Sequence, residues 1–298
     1  MDKPEQNWCD APVPMTRVFM FPGQGSQKVG MGAPLFARFP AQVATADAEL
    51  GYSIEELCSA DPLGRLNDTQ YTQPALFVVN ALMFLDRLLA RGELPSMVAG
   101  HSLGEYNALF AAGVFDFTTG VRLVKKRAEL MSRARGGAMA AVLGLGRETI
   151  ADILSRSGFT GVDVANYNSP RQTVISGPDA ELDRAQPLME AAGAKLFKKL
   201  AVSAAFHSRY MQPAAAEFKT CLRDFAFAAP RIPVIANATA QPYEAGQVAE
   251  LLAAQIDHPV RWVESIRWIS RQPEVQFEEI GPGNVLAGLI RRIQTEAD

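Results

Sequence analysis

Short apolar runs and helical stripes follow one another along this chain, a combination typical of an α/β protein. Continuous apolar runs predict three buried strands of a first unit: 16–21, 97–100 and 275–280. Apolar residues at three- and four-residue spacing predict its core helices: 73–90, 115–131, a helix carrying Trp262, Ile266 and Ile269, and 285–293. Residues 1–15 are polar, contain prolines and lack this periodicity. We therefore expect them to form a flexible leader.

Residues 137–202 show a separate pattern of six short predicted elements. These are a strand (139–145), a helix (147–157), two strands (162–165 and 172–176), a helix (180–192) and a strand (195–200). This β-α-β-β-α-β order is that of a ferredoxin-like unit, and its length fits a small domain inserted into a larger one. We therefore expect a large domain over 16–136 and 203–298 around a small domain over 137–202. The polar segment 166–170 has turn chemistry, and its amides are available to a cleft.

The segment Gly100-His101-Ser102-Leu103-Gly104 has the G-x-S-x-G pattern of a nucleophile elbow. In such an elbow, the serine lies on a sharp turn between a strand and a helix, where flanking glycines allow close backbone packing. The amide of Leu103 and the positive end of the helix dipole can then meet a developing oxyanion. The pattern alone leaves open a plain strand–turn–helix connection.

A glycine-rich loop follows the first strand at Pro22-Gly23-Gln24-Gly25-Ser26-Gln27. No Gly-Lys-Ser/Thr follows it, and its glycines miss the dinucleotide spacing, so the pattern argues against a phosphate-binding loop. Gln24 can orient the loop beside the elbow serine or complete an oxyanion hole. The alternative is an ordinary turn.

Arg127 lies in the middle of the apolar stripe of the helix predicted over 115–131. An arginine cannot lose its charge, and burying it unpaired is costly, so it needs a carboxylate from the protein or from a ligand. A fixed ion pair within the protein or a side chain that extends to the surface would also fit the sequence.

The chain contains three histidines, and these are the candidates for the base that activates a serine nucleophile. His101 adjoins Ser102 and is expected to point away from it, and His258 precedes a proline in a turn. His207 follows the small domain, in the order serine then histidine that an elbow enzyme has. We therefore favour His207 as the base, with a structural role as the alternative. No acidic residue has the placement of a third triad member, and the sequence leaves the orienting group open.

Composition limits the function classes. The chain has 298 residues, 48% hydrophobic and 20% charged, with a net charge of -3. That balance gives no general attraction to nucleic acid or to a membrane surface. Its three cysteines, Cys9, Cys58 and Cys221, share no spacing that indicates a disulfide framework or a metal site. Neither a membrane-length apolar run nor a signal peptide is recognisable. We expect a cytoplasmic protein without a metal.

Six sequence blocks together resemble the malonyl-CoA:acyl-carrier-protein transacylase family. They are Phe21-Pro22-Gly23-Gln24-Gly25-Ser26-Gln27, Gly100-His101-Ser102-Leu103-Gly104-Glu105-Tyr106, Asn166 to Gln172, Ala205-Phe206-His207-Ser208, Asn237 and Gly281-Pro282-Gly283. The resemblance runs in order from Thr16 to Ile293 and is nearest to discrete acyltransferases that serve polyketide assembly lines in trans. It implies an α/β-hydrolase-like large domain with an inserted ferredoxin-like small domain, and an active site in the cleft between them.

The resemblance also implies roles for the candidate residues. Ser102 and His207 would form a catalytic dyad, with the histidine oriented by the main-chain carbonyl of Gln255 in place of an acid. Arg127 would hold the free carboxylate of a malonyl group. The remaining expected site residues are the oxyanion donors Gln24 and Leu103, the specificity residues Ala205 and Phe206, and the cleft-lining His101 and Asn168.

Substrate choice follows from the same resemblance. In the family, Ala-Phe-His at the catalytic histidine accompanies malonyl, because the aromatic ring would occupy the space of an α-methyl group. Ala205-Phe206-His207 fits this, although Ala204 departs from the histidine often found two places before the phenylalanine.

The expected function is ping-pong transfer of malonyl from malonyl-CoA, through Ser102, to the phosphopantetheine thiol of an acyl carrier protein. It would serve polyketide or fatty-acid synthesis in a monomer with no bound cofactor and CoA thioester as substrate. Three alternatives remain: a hydrolase that clears acyl groups from carrier proteins, a transferase for another acyl group, and a non-catalytic docking module. Candidate basic sites for an acidic carrier are Lys125-Lys126, Lys198-Lys199 and Arg291-Arg292.

Overall fold

The computed structural model describes residues 15–202 and 204–296. Within these residues the chain forms eight strands: β1 (Thr16–Phe21), β2 (Met97–Gly100), β3 (Ala138–Leu143), β4 (Asp163–Ser169), β5 (Gln172–Gly177), β6 (Leu196–Lys199), β7 (Val234–Ile235) and β8 (Val275–Glu279). The same residues form twelve α-helices: α1 (Ala33–Phe36), α2 (Pro40–Leu50), α3 (Ile54–Ser59), α4 (Thr69–Arg91), α5 (Gly104–Ala111), α6 (Phe117–Arg133), α7 (Arg147–Arg156), α8 (Asp179–Ala191), α9 (Gln212–Cys221), α10 (Val248–Asp257), α11 (Trp262–Ile269) and α12 (Val285–Thr295).

The first sheet is parallel throughout, with strand order β7-β2-β1-β8. Successive residues of β1 alternate between its two faces, as a pleated strand requires. Phe19 and Phe21 join a core with α4, α5 and α6, whereas Val18 and Met20 pack with α11 and α12 on the other face. Phe21 pairs in register with Gly100. The loops that leave β1 and β2 therefore start side by side.

Helix α4 is the long helix of this core. It starts at Thr69, four residues before the predicted start, and continues through Pro74. By length and composition it is the one helix among the described residues that could cross a membrane. The expectation that no apolar segment has the length of a membrane span therefore does not hold for α4. Its residues from Thr72 to Leu82 are all buried inside the protein, so burial in the core accounts for the hydrophobicity of α4.

The second sheet is antiparallel and has the strand order β4-β5-β3-β6. Helices α7 and α8 cover it through a core of their own. The predicted β-α-β-β-α-β order is confirmed, and the strand order is the one a ferredoxin-like unit has. The prediction of a turn at 166–170 was wrong for its first four residues. Residues 166–169 continue β4 with two register irregularities, because the backbone still pairs with β5 across the bulges.

The two sheets are joined near the end of β4. Val260 donates its N–H to the Ala165 carbonyl at 2.8 Å, and Tyr167 donates to the Val260 carbonyl at 2.9 Å. These bonds fix β4 beside the connection between α10 and α11. The fold is thus α/β, with a parallel sheet and a separate antiparallel sheet. The domain boundaries stay predictions; the leader residues 1–14 and Ser203, at one boundary, lie outside the described residues.

Candidate active site

Ser102 occupies a strained turn between β2 and α5. Its φ is +50°, in the left-handed region that non-glycine residues rarely adopt. Close backbone packing leaves no room for a side chain at either flanking glycine. A Cβ on Gly100 would lie 2.0 Å from the Gly104 carbonyl carbon, and one on Gly104 would lie 1.9 Å from the Phe21 carbonyl oxygen. The elbow geometry predicted from G-x-S-x-G is present.

His207 is hydrogen-bonded to Ser102. Its Nε2 lies 2.8 Å from Ser102 Oγ, and its Nδ1 lies 2.8 Å from the main-chain carbonyl oxygen of Gln255. Because a carbonyl only accepts, Nδ1 carries the proton and Nε2 is left to accept from the serine hydroxyl. The carbonyl of Gln255 thus occupies the position that an acid holds in a triad.

The imidazole of His207 is held neutral. Burial, and secondarily the charge of Arg127, lower the pKa of His207 to about 3. A histidine with this pKa is neutral at neutral pH, so its Nε2 can accept the hydrogen bond from the Ser102 hydroxyl. His207 also has a φ of +56°, so both members of the pair sit on strained backbone.

Arg127 is 1% exposed and lies next to Ser102. Its Nη2 donates to Ser102 Oγ at 3.3 Å and to Gln255 Oε1 at 2.9 Å, and its Nη1 donates to Gln73 Oε1 at 2.6 Å. The guanidinium also lies 5.4 Å from the ring of Tyr106. Among the described residues it forms no ion pair, and its Nε has no partner.

These contacts exclude two of the interpretations that the sequence left open for Arg127. The side chain does not extend to the surface, and the described residues hold it with amides and a hydroxyl instead of a carboxylate. Burial lowers the pKa of Arg127, but an arginine remains charged in proteins. The hydrogen-bond partners of this buried cation are neutral, so among the described residues its charge is left without an ion pair next to Ser102.

Gln24 does not point its side-chain amide at Ser102. Its Nε2 donates to Thr69 Oγ1 at 3.2 Å, so the idea of a side-chain oxyanion donor is not supported by this geometry. The loop itself lies against the elbow: a Cβ on Gly23 would stand 3.4 Å from the Leu103 nitrogen. Among the described residues, no acceptor takes the backbone N–H of Gln24 or Leu103. Both N–H groups are therefore free to bind an oxygen of a ligand.

His101 and Asn168 face each other across the junction of the two sheets. His101 Nε2 lies 2.8 Å from Asn168 Oδ1, and the imidazole packs edge-on against the ring of Trp262. Burial lowers the pKa of His101 as well. The expectation that His101 points away from the serine fits this pairing.

Ala205 and Phe206 are buried immediately before His207, at 2% and 5% exposure. A Cβ on Gly137 would lie 2.8 Å from the Ala205 Cβ, so this segment packs tightly against the strand that opens the small unit. Their part in substrate choice stays a prediction.

Three polar residues at the site were not assigned roles from the sequence. Gln73 on α4 holds Arg127, and Asn237 accepts from Ser102 N–H at 2.7 Å while donating to the Gly100 carbonyl at 2.6 Å. Glu105, on α5, lies fully buried behind them. Asn237 and Glu105 stand within the blocks that carried the resemblance, but nothing in spacing or periodicity showed which atoms they contact.

The curated relatives are similar over nearly the full chain. Residues 18–295 match the acyl transferase domain family. The chain is 52% identical over 283 residues to the polyketide biosynthesis malonyl CoA-acyl carrier protein transacylase BaeC of Bacillus velezensis, covering 94% of this chain and 97% of that protein. It is 51% identical over 281 residues to the polyketide biosynthesis protein PksE of Bacillus subtilis, covering 94% of this chain but 37% of that longer relative.

Solved structures are also similar over nearly the full chain. A malonyl CoA-acyl carrier protein transacylase from Burkholderia pseudomallei matches with a TM-score of 0.92 and 50% identity, covering 96% of this chain and all of that one. A malonyl-transacylase in complex with its type II polyketide synthase acyl carrier protein matches with a TM-score of 0.88 and 40% identity, covering 93% and 92% of the two chains. With matches of this identity and coverage, the chain belongs to the acyl transferase family.

Proposed function

We propose that this chain transfers a malonyl group from malonyl-CoA, through an ester on Ser102, to the phosphopantetheine thiol of an acyl carrier protein. The observation that carries the proposal is the buried guanidinium of Arg127, which lies 3.3 Å from Ser102 Oγ and forms no ion pair with a carboxylate of the described residues. The free carboxylate of malonyl supplies the anion for an ion pair, and the guanidinium can bind it bidentately, through two parallel hydrogen bonds.

The first half-reaction acylates the serine. Ser102 Oγ attacks the thioester carbonyl while His207 Nε2 takes the hydroxyl proton. The oxyanion that forms is stabilised by the backbone N–H groups of Gln24 and Leu103 and by the dipole of α5. The tetrahedral intermediate collapses, the C–S bond breaks, and the proton on His207 goes to the CoA sulfur.

The second half-reaction runs in the reverse sense with a new thiol. His207 takes the proton of the phosphopantetheine thiol, whose sulfur attacks the malonyl ester, and returns the proton to Ser102 Oγ. A groove of about 630 Å³ borders His207 and is lined by residues of α7, β4 and the segment 257–259. No resident cofactor takes part, because malonyl enters as the CoA thioester and leaves as a carrier thioester.

Polyketide synthesis is the favoured setting, because the full-length relative at 52% identity is named for it. We place the reaction in the cytoplasm, in a monomer. Four of the six candidate basic residues for docking are engaged. Lys126 pairs with Glu129 and Glu217, and Lys199 with Asp179 and Asp183. Lys125 donates to the Glu49 carbonyl, and Arg292 donates to Gln172. Lys198 and Arg291 form no ion pair among the described residues and are the stronger candidates.

Intact-protein mass spectrometry tests the function. The protein is mixed with malonyl-, methylmalonyl- or acetyl-CoA, and a phosphopantetheinylated carrier protein is then added. We expect a malonyl adduct that moves to the carrier, with methylmalonyl excluded by Phe206. A protein that resists malonylation and instead releases acyl groups from a loaded carrier into water would be the hydrolase, and Arg127 would then serve only the fold.

The neutral state of His207 gives a separate prediction. Since burial and Arg127 lower its pKa from 6.5 to about 3, its imidazole should stay unprotonated as the pH falls from about 8 to about 5. Nitrogen-15 NMR of the histidine side chains should show a neutral imidazole protonated at Nδ1 across that range. Assignment comes from comparison with His207→Gln. A titration midpoint near 6.5 would contradict the proposed electrostatics.

A further inference from the structure

A buried acid lies behind the dyad without touching the reacting atoms. Glu105, in the first turn of α5, is 0% exposed. Its Oε1 accepts from Asn237 N–H at 3.0 Å and from the Tyr243 hydroxyl at 2.6 Å, and its Oε2 accepts from Gln255 Nε2 at 2.5 Å. Burial raises the pKa of Glu105 to about 7, while its three donors and Arg127 favour the charged form. The proposed half-reactions give this carboxylate no part.

The amide of Gln255 can be oriented in two ways, and its neighbours determine which one is adopted. Its Nε2 lies between two acceptors, the Ser102 carbonyl at 2.7 Å and Glu105 Oε2 at 2.5 Å. Its Oε1 faces Arg127 Nη2 at 2.9 Å. Turning the amide over would place its oxygen against a carbonyl and a carboxylate, and its N–H groups against the guanidinium.

From this arrangement we propose that Glu105 is a positioning residue that fixes the amide of Gln255 with its oxygen toward Arg127, and so aims the guanidinium at the acyl group on Ser102. The inference rests on the proposed malonyl transfer and adds a residue to it. Glu105 acts on Arg127 through Gln255 and through space, because the two charges interact electrostatically without forming an ion pair.

Replacement of Glu105 by glutamine tests the orientation. In Glu105→Gln the introduced side chain has one acceptor oxygen for two groups of donors, one group on Gln255 and the other on Asn237 and Tyr243. When its NH₂ group faces Gln255, that amide turns over and presents N–H groups to Arg127. The malonyl carboxylate then loses a well-placed guanidinium, whereas acetyl-CoA, which has no carboxylate, does not depend on it.

The measurement is the rate of Ser102 acylation by malonyl-CoA and by acetyl-CoA, in the full chain. In Glu105→Gln we expect the malonyl-to-acetyl ratio of kcat/KM to fall about tenfold, as loss of one charged hydrogen bond predicts. Tyr243→Phe is the matched control: it removes a donor from Oε1 of the same carboxylate and leaves the Gln255 side intact, so the ratio should not change. Thermal unfolding checks that each variant is folded.

A double-mutant cycle with Gln255→Met shows whether Glu105 acts through Gln255. Gln255→Met keeps the main-chain carbonyl that bonds His207 and removes only the amide, so it should lower the ratio by a similar factor. In that background Glu105→Gln should change the ratio by less than about twofold. Should Glu105→Gln fail to fold, Gln255→Met alone decides: an unchanged ratio there overturns the inference.

Any one of three results would overturn this inference and leave the proposed function standing. The first is a malonylated wild type in which Glu105→Gln slows acylation by both CoA substrates equally. The others are a fall in the malonyl-to-acetyl ratio of the same size in Tyr243→Phe, or independent, multiplicative effects of Glu105→Gln and Gln255→Met on that ratio. A wild-type protein that takes no malonyl at all would overturn the proposed function, and this inference with it.

Discussion

Replacement of Ser102 by alanine is expected to abolish the malonyl adduct and to lower transfer to the carrier by at least about 10³-fold. The reason is that no other hydroxyl is hydrogen-bonded to His207 Nε2 among the described residues. Alanine keeps the backbone of the turn and removes only the oxygen. Intact mass after incubation with malonyl-CoA measures the adduct directly.

The matched control for this prediction is Ser270→Ala, which removes a hydroxyl from the exposed surface directly after α11. It should be malonylated like the wild type. Thermal unfolding of both variants separates loss of chemistry from loss of fold. Undiminished labelling of Ser102→Ala would mean that the nucleophile lies elsewhere and that the elbow is only a connection.

The sequence was most informative where one local rule decides the structure. Gly100 and Gly104 are demanded by backbone contacts of about 2 Å, so their spacing around Ser102 identified the elbow directly. Apolar runs and helical periodicity likewise indicated most strands and long helices, since burial on one or two faces sets those patterns. Helices α1 to α3, α9 and α10 and strand β7 were not anticipated. Helices α1 and α3 and strand β7 span only two to six residues, too few for a period to appear, and α2 and α9 bury only two residues each.

The partners within the site depended on tertiary structure. Gln73, Asn237 and Glu105 reach Arg127, Ser102 and Gln255 from segments 54, 135 and 150 residues away. Contacts between residues so far apart in the sequence produce no pattern in the local spacing of residues. The same limit explains Gln24: the sequence placed its loop beside the elbow, but only the folded chain shows that its side chain turns to Thr69.

Replacement of Arg127 by alanine is expected to weaken malonyl transfer by about 10- to 100-fold and to spare or improve the use of acetyl-CoA. Malonyl loses the charged hydrogen bonds to its carboxylate, whereas acetyl gains space where the guanidinium stood. Arg133→Ala is the control on the same helix, since its exposed side chain pairs with Glu129 and Glu217 at the surface.

The comparison of the two CoA substrates separates binding from folding for Arg127. A lost clamp raises KM for malonyl-CoA and leaves the acylation rate with acetyl-CoA intact, because Arg127 takes no part in the hydrogen bonds that join Ser102 to His207 and His207 to the Gln255 carbonyl. A structural arginine predicts the opposite pattern. Its loss would leave Gln73 and Gln255 unpaired, lower the unfolding temperature and reduce both substrates in proportion, so an unchanged ratio would contradict the carboxylate clamp.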